Sequence, residues 1–511
     1  MPKQQTEYLV DLIHSLSKSE KRNFRLFAGR LGNAEEKLFL QLFDYIDDHR
    51  DYNEAMLLQK IQGIKKSQLP NLKANLYRQL LGSLRWLGRN TYEDIAAREW
   101  IDHARILLTK GMQKAALESI EKAKKSALAI HNQALLYHAL DFERFIENQF
   151  VTGSNPVIAD RLKKQGDDLV RNLVTGNEYS NLSMALYTLY LKHGYVKDQK
   201  DFDYIHAFFQ SNLPQKSTKN LDFYEKVYLF QCQVWYHHMI QDFAGYYKFS
   251  QKWVDCFESD PKMILTDTTM YLKGLHNTLN ALYMAGKRDK FKSYFQKYKS
   301  FGDHPPIKLS ENDRSNYLMY YHLHLLNEIF LTGQFLSGKN NCKPLEELLK
   351  KNEMQWDESR IIVLHYKLAC VYFGANDYSH ALTYLNLIIN APSSKIRQDI
   401  QCFARFLSLI VHYELGNEVL MSYQIRSVFR FLSNMEDLQG VQREILSFLR
   451  KTPNIFPTDV KKEFKSLRAK LLPYSEHPYE KRPFLYLDII AWLDAKINGT
   501  TVQEEVLKKI K

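Results

Sequence analysis

Between Ala55 and Asn90 the chain carries seven basic residues and no acidic one. A run of that kind can neutralise phosphates or an acidic protein surface. A second basic group stands upstream, where Lys18, Lys21, Arg22 and Arg25 fall at i, i+3, i+4 and i+7 and so form one stripe of a helix. Phe24, Phe27 and Ala28 are expected inward on its other side. The candidate contacts for an anionic partner or a nucleic acid are therefore Lys18, Lys21, Arg22, Arg25, Lys65, Lys66, Lys73, Arg78, Arg85 and Arg89.

The stretch from Met56 has the outline of a helix-turn-helix. Gly63 would make the turn, Ser67 would cap the second helix and Pro70 would sit in its first turn. Leu72, Leu76, Leu80, Leu84 and Leu87 would form the core stripe, with Arg78, Arg85 and Arg89 opposite. In a nucleic-acid reader Lys65, Lys66, Gln68, Asn71 and Lys73 would enter the groove while the arginines hold phosphates. The plainer reading is a solvated basic face, since loose outlines of this kind arise by chance in helical proteins.

Other chemistry leaves no local signature. The chain has no G-x-G-x-x-G, G-x-x-x-x-G-K-[ST], H-E-x-x-H or G-x-S-x-G pattern. His237-His238 and His322-x-His324 have spacings that diverge around a helix, so neither pair can share a metal. Cys232, Cys256, Cys342, Cys370 and Cys402 are far apart and read as small buried hydrophobes in a reducing compartment. No catalytic residue, cofactor or metal is assigned.

The elements that must carry these surfaces announce themselves by a recurring turn. Gly111, Gly153, Gly194, Gln241, Gly286, Gly333, Asn376 and Gly416 stand 40 to 47 residues apart, each between apolar helical stretches. A hairpin of two helices cannot bury its own apolar face, so a period of this length predicts stacked hairpins. Composition agrees: 511 residues, 45% hydrophobic, with 14 Pro and 20 Gly leave long helices uninterrupted. With 32 Tyr and 29 Phe, rings are expected to fill much of the space between helices.

Two units are sharp. One reads Trp100, Ala104, Leu107, Gly111, Ala116, Ile120, Ala123; the other reads Leu368-Ala369-x2-Tyr372-x3-Asn376-Asp377-Tyr378-x2-Ala381-Leu382 and is stopped by Pro392. This pattern resembles the tetratricopeptide repeat, in which small residues let paired helices approach. Trp100, Ala104, Gly111, Ala116, Ala123, Ala369, Tyr372, Tyr378 and Ala381 are then packing positions. Elsewhere Tyr246, Trp253, Phe291 and Phe295 stand where that family uses Ala, which implies longer, less regular hairpins. As a whole the chain also resembles a group of uncharacterised bacterial helical-repeat proteins, through Leu16-x-Lys18-Ser19-Glu20-Lys21-Arg22-x-Phe24 and Trp492-Leu493-x-x-Lys496-Ile497. That resemblance transfers no catalytic residue.

The expected fold is all-α: a right-handed superhelical array of antiparallel hairpins over 91–457, preceded by a basic helical module over 1–90. The segment 458–511 is expected to be a linker broken by Pro473, Pro478 and Pro483, then an apolar helix from Phe484 to Ile497 ended by Asn498-Gly499. That helix would cap the array or dock elsewhere. No leader-like start and no run of about 18 apolar residues is present, so a cytoplasmic location is expected. The function expected is a non-catalytic scaffold binding a protein or peptide in the array's groove; a nucleic-acid-binding regulator is the alternative, which the net charge of +12 serves equally well.

Overall fold

The computed structural model describes residues 3–29, 34–49, 52–61, 64–149, 156–214, 221–303, 309–351, 354, 356–391, 397–433, 440–451, 460–480, 484 and 488–510. Gly63, Gly153, Pro392 and Pro483 lie outside them. The described residues contain no strand; the protein is an all-α array of packed helices. They divide into two compact units, Met1–Val174 and Thr175–Lys511. That division falls inside one helix, at a different place from the composition change near residue 90.

The first unit runs α1 (Lys3–Ser15), α2 (Lys18–Ala28), α3 (Ala34–Asp48), α4 (Glu54–Lys60), α5 (Leu69–Gly88), α6 (Glu93–Thr109), α7 (Gln113–Ala129), α8 (Gln133–Gln149) and the start of α9 (Pro156–His193). Ser17 and Glu20 form a reciprocal capping box that fixes where α2 begins. Leu9, Ile13, Phe24, Phe43, Leu76 and Leu80 meet in a core of their own under α1 to α5. The second unit holds the rest of α9, then α10 (Gln199–Asn212), α11 (Phe223–Met239), α12 (Phe243–Ser259), α13 (Pro261–Thr266), α14 (Thr268–Met284), α15 (Arg288–Asp303) and α16 (Glu311–Thr332). After these come α17 (Phe335–Gly338), α18 (Lys343–Lys351), α19 (Glu358–Gly374), α20 (Tyr378–Ile389), α21 (Gln398–Glu414), α22 (Glu418–Ser433), α23 (Gly440–Lys451) and α24 (Val460–Ser475). The helices Ile489–Asn498 and Val502–Ile510 close the chain.

Polar caps set the helix starts: Asp222, Asp267, Ser310 and Asp357 each accept an orphan N–H at the head of α11, α14, α16 and α19. The turns follow the sequence period. Gly111, Gly194, Gln241, Gly286, Gly333, Asn376 and Gly416 all have positive φ. A further turn of this kind, between α7 and α8, is made by His131 with φ 51°. Nothing lies within 4 Å of a Cβ placed on Gly111, so Gly111→Ala tests conformation alone. The substitution should cost about 1 kcal/mol, and His131→Gly should shift stability the other way; equal melting midpoints for both variants and the parent would mean that these turns carry no strain.

One interval departs from the hairpin expectation. Between Gly153 and Gly194 lies the single helix α9, 38 residues long, with no turn inside it. Elsewhere packing follows residue size. Ala104, Ala116 and Ala123 are fully buried between α6 and α7, as are Ala369 and Ala381 between α19 and α20. Rings take those places farther along: Tyr246 and Trp253 on α12, and Phe291, Phe295 and Tyr298 on α15, are buried in one continuous core.

The C-terminal segment differs most from expectation. Pro473 does not end a helix but sits in the last turn of α24. The apolar helix begins at Ile489 rather than Phe484, ends at Gly499 with φ 71°, and is followed by a second helix. Trp492, 2% exposed, packs edge-on against Phe464 of α24 and donates to Glu414 at the end of α21 (2.7 Å). Farther on, Val506 closes against Gly333, Gln503 accepts from the N–H of Leu336 (2.8 Å), and Arg288 donates to the Ile510 carbonyl (3.1 Å). Upstream, the Tyr479 carbonyl accepts from the side chain of Gln241 (3.2 Å). Among the described residues, 479–480 and 488–510 thus touch the α11–α12, α14–α15, α16–α17 and α21–α22 turn regions as a strap, and the helix Ile489–Asn498 also packs on α24.

Candidate interaction surfaces

The basic residues of the first unit divide into those already paired and those facing water. Lys21 pairs with Asp47 of α3, and Arg25 bonds Asp44 at 2.8 Å, so half of the α2 stripe is held by the neighbouring helix. Lys73 is not a groove-reading side chain: it is 4% exposed, bonds Glu54 at the head of α4 (2.9 Å) and lies over the Tyr52 ring. Ser67 does not cap α5; Gln68 occupies the cap without a side-chain bond, and Pro70 is in the first turn. The inward side of α5 is Leu69, Lys73, Leu76, Leu80 and Ser83, while Leu72, Leu84 and Leu87 are half-buried. The stripe is rotated because Lys73 is taken in.

Arg85 and Arg89 reach back to Asp102 (2.8 Å) and Glu99 (3.4 Å) of α6, and Arg89 also stacks on Trp86. Lys18, Arg22, Lys65, Lys66 and Arg78 are exposed and make no ion pair with a described residue. Along α5, Arg78, Leu81, Arg85 and Trp86 all face solvent, and Trp86 is 40% exposed.

The repeat-packing positions behave as spacers and struts. Trp100 is half-buried with Lys122 over its ring (4.6 Å). Tyr372 is buried and donates to Glu346 of α18, and Tyr378 donates to Asn376 in the turn (3.3 Å). A second surface lies on the distal half of α9. Met184, Tyr187 and Leu191 fall at i, i+3 and i+7 and are exposed, with Tyr187 resting on Trp235 of α11 at 4.9 Å. The 40- to 47-residue period predicts a hairpin in this interval, and a single helix in its place leaves the stripe uncovered by a second hairpin arm.

A polar chain crosses the core of the second unit. His276 of α14 meets His324 of α16 (3.0 Å); Asn327 contacts the other nitrogen of His324 (3.2 Å) and accepts from Lys367 of α19 (2.7 Å). Spacing along the chain hides this pair, because the partners come from different helices. Burial pushes His276 down to about 3, with Arg360 adding to the effect, and holds His324 well below the ordinary histidine range. Lys367 lies over the Tyr283 and Phe330 rings at 4.8 and 5.1 Å, which offers the cation a π face inside the core. Such a network fixes how three helices register. His322 points elsewhere, as its spacing predicts, and its Nδ1 has no hydrogen-bond partner among the described residues.

Fold and surfaces together define an all-α helical array with a basic N-terminal face and an apolar stripe. No family model, curated protein or solved structure matches the chain. No helix among the described residues is long and apolar enough to cross a membrane.

Proposed function

We propose that the protein is a non-catalytic interaction scaffold of the cytoplasm, in which a tetratricopeptide-like array over 91–457 binds a protein or peptide and the basic N-terminal helices add a second contact. The observation that carries this reading is the exposed stripe Met184, Tyr187 and Leu191, whose outer members are 65% and 58% exposed although most apolar side chains of the second unit are inside. Contiguous apolar surface with an aromatic floor marks a contact site more often than a solvated face. The test is recovery of partners on the tagged protein from its own cells, with and without nuclease. Leu191→Asp combined with Met184→Asp should reduce nuclease-resistant partners by about tenfold or more, as expected for loss of a binding hot spot; an unchanged set of partners removes the stripe from the proposal.

A nucleic-acid-binding regulator is supported by one specific feature, the exposed cations Lys65 and Lys66 before the head of α5 and Arg78 along it, none of them in an ion pair with a described residue. These three are better probes than Arg85 and Arg89, which are paired within the fold. Reversing them to Glu should weaken RNA or DNA binding and flatten its salt dependence. Unchanged affinity in fluorescence anisotropy sinks the alternative.

A further inference from the structure

In the second unit, where the C-terminal helices meet the hairpins, lies a partly open cleft of about 260 Å³. Tyr283, Phe330, Phe335, Cys370, Val502 and Val506 give it a mainly apolar wall, which suits an alkyl body better than water, since a held water needs polar partners. Arg288, Asp488 and Lys509 stand on its lining as well. Lys509 is matched to Asp488 at 2.7 Å, whereas Arg288 spends one N–H on the Ile510 carbonyl and is otherwise open to solvent. Among the lining residues the charge is thus one cation in excess.

We propose that this cleft binds a small amphipathic anion, a short linear alkyl chain ending in a carboxylate. The chain lies against Tyr283, Phe330 and Val506, and the carboxylate meets the Arg288 guanidinium, whose planar fork matches it. Because Val502 and Val506 belong to the last helix and the remaining wall to the hairpins, the ligand joins strap to array. Binding therefore secures the strap, a role independent of the α9 stripe and of any partner bound there.

The full-length protein can be titrated calorimetrically with octanoate, octanol and octyltrimethylammonium. One saturable site for octanoate with Kd of about 1 mM or tighter, weaker binding of octanol and none of the cation are expected. Arg288→Glu, on the surface, should weaken octanoate by about tenfold or more and leave octanol unchanged. Val506→Phe should abolish both by filling the space; should that variant not fold, the Arg288→Glu result decides. Absence of a saturable octanoate site, octanol binding as tight as octanoate, or indifference to Arg288→Glu overturns the proposal.

Discussion

Glu143→Ala is expected to destabilise the Met1–Val174 unit by about 3–5 kcal/mol, the usual consequence of leaving a buried charge without its partner. The Glu143 side chain is 4% exposed and pairs with Lys124 of α7, itself 9% exposed, and with Arg161 of α9 at 2.7 Å. Lys124 retains a contact with Glu121 (2.8 Å), but Glu121 faces water, where solvent screens the attraction. Removing the acid therefore strands the lysine between two helices. Removing both charges is a different experiment. Glu143→Leu with Lys124→Met should recover most of the loss, because apolar groups of similar volume fill the site without a desolvation cost. Urea midpoints of the single and double variants measure both effects. A single variant losing less than about 1 kcal/mol, the range of an exposed pair, would show that Lys124 reaches water in solution.

Acid should unfold the second unit well before its carboxylates are protonated. Burial lowers His276 to about 3 and His322 and His365 to about 4, and keeps His324 well below its ordinary value. An unfolded histidine titrates near 6.5. Above that pH both states are neutral and these groups contribute nothing. Between about 6.5 and 4 the unfolded chain binds protons that the folded chain refuses, so stability falls as pH falls. Each group removes about 1.4 kcal/mol by pH 5.5, on the order of 5 kcal/mol for four, a large part of an ordinary domain's stability. His322→Leu isolates the effect. It should raise stability at pH 7 by about 1 kcal/mol, since an unpaired buried nitrogen is replaced by apolar surface, and it should flatten the acid limb by one histidine's share. A melting midpoint constant from pH 7 to 5 would mean that these rings are hydrated in solution.

What could be read from the sequence was whatever is written in local spacing. All seven described turn positions have left-handed backbone, six of them at the Gly or Asn that a helix end implies and one at Gln241, and Ser17 with Glu20 fixed the start of α2. Where the turn falls on an unexpected residue, as at His131, composition gave no sign. Gly166 and Gly176 inside α9 show the opposite: glycine tolerated in a helix interior. Lys73 looked like a surface cation because sequence does not reveal that Glu54 waits opposite. The same holds for His276 with His324 and Lys124 with Glu143, pairs separated by 48 and 19 residues that only packing brings together. Pro473 costs α24 the N–H bond it would have given four residues back, and the helix ends two residues later at Ser475.

The strap also sets an order of events during synthesis. Its helices, Ile489–Asn498 and Val502–Ile510, are made after every hairpin edge they cover. At 5–20 residues per second the Gly333 turn leaves the ribosome roughly ten to thirty seconds before Val506 exists to close on it. For that interval the nascent array holds its Tyr283, Phe330 and Phe335 edge uncovered, the moment at which a chaperone, or a neighbouring nascent chain, can claim it.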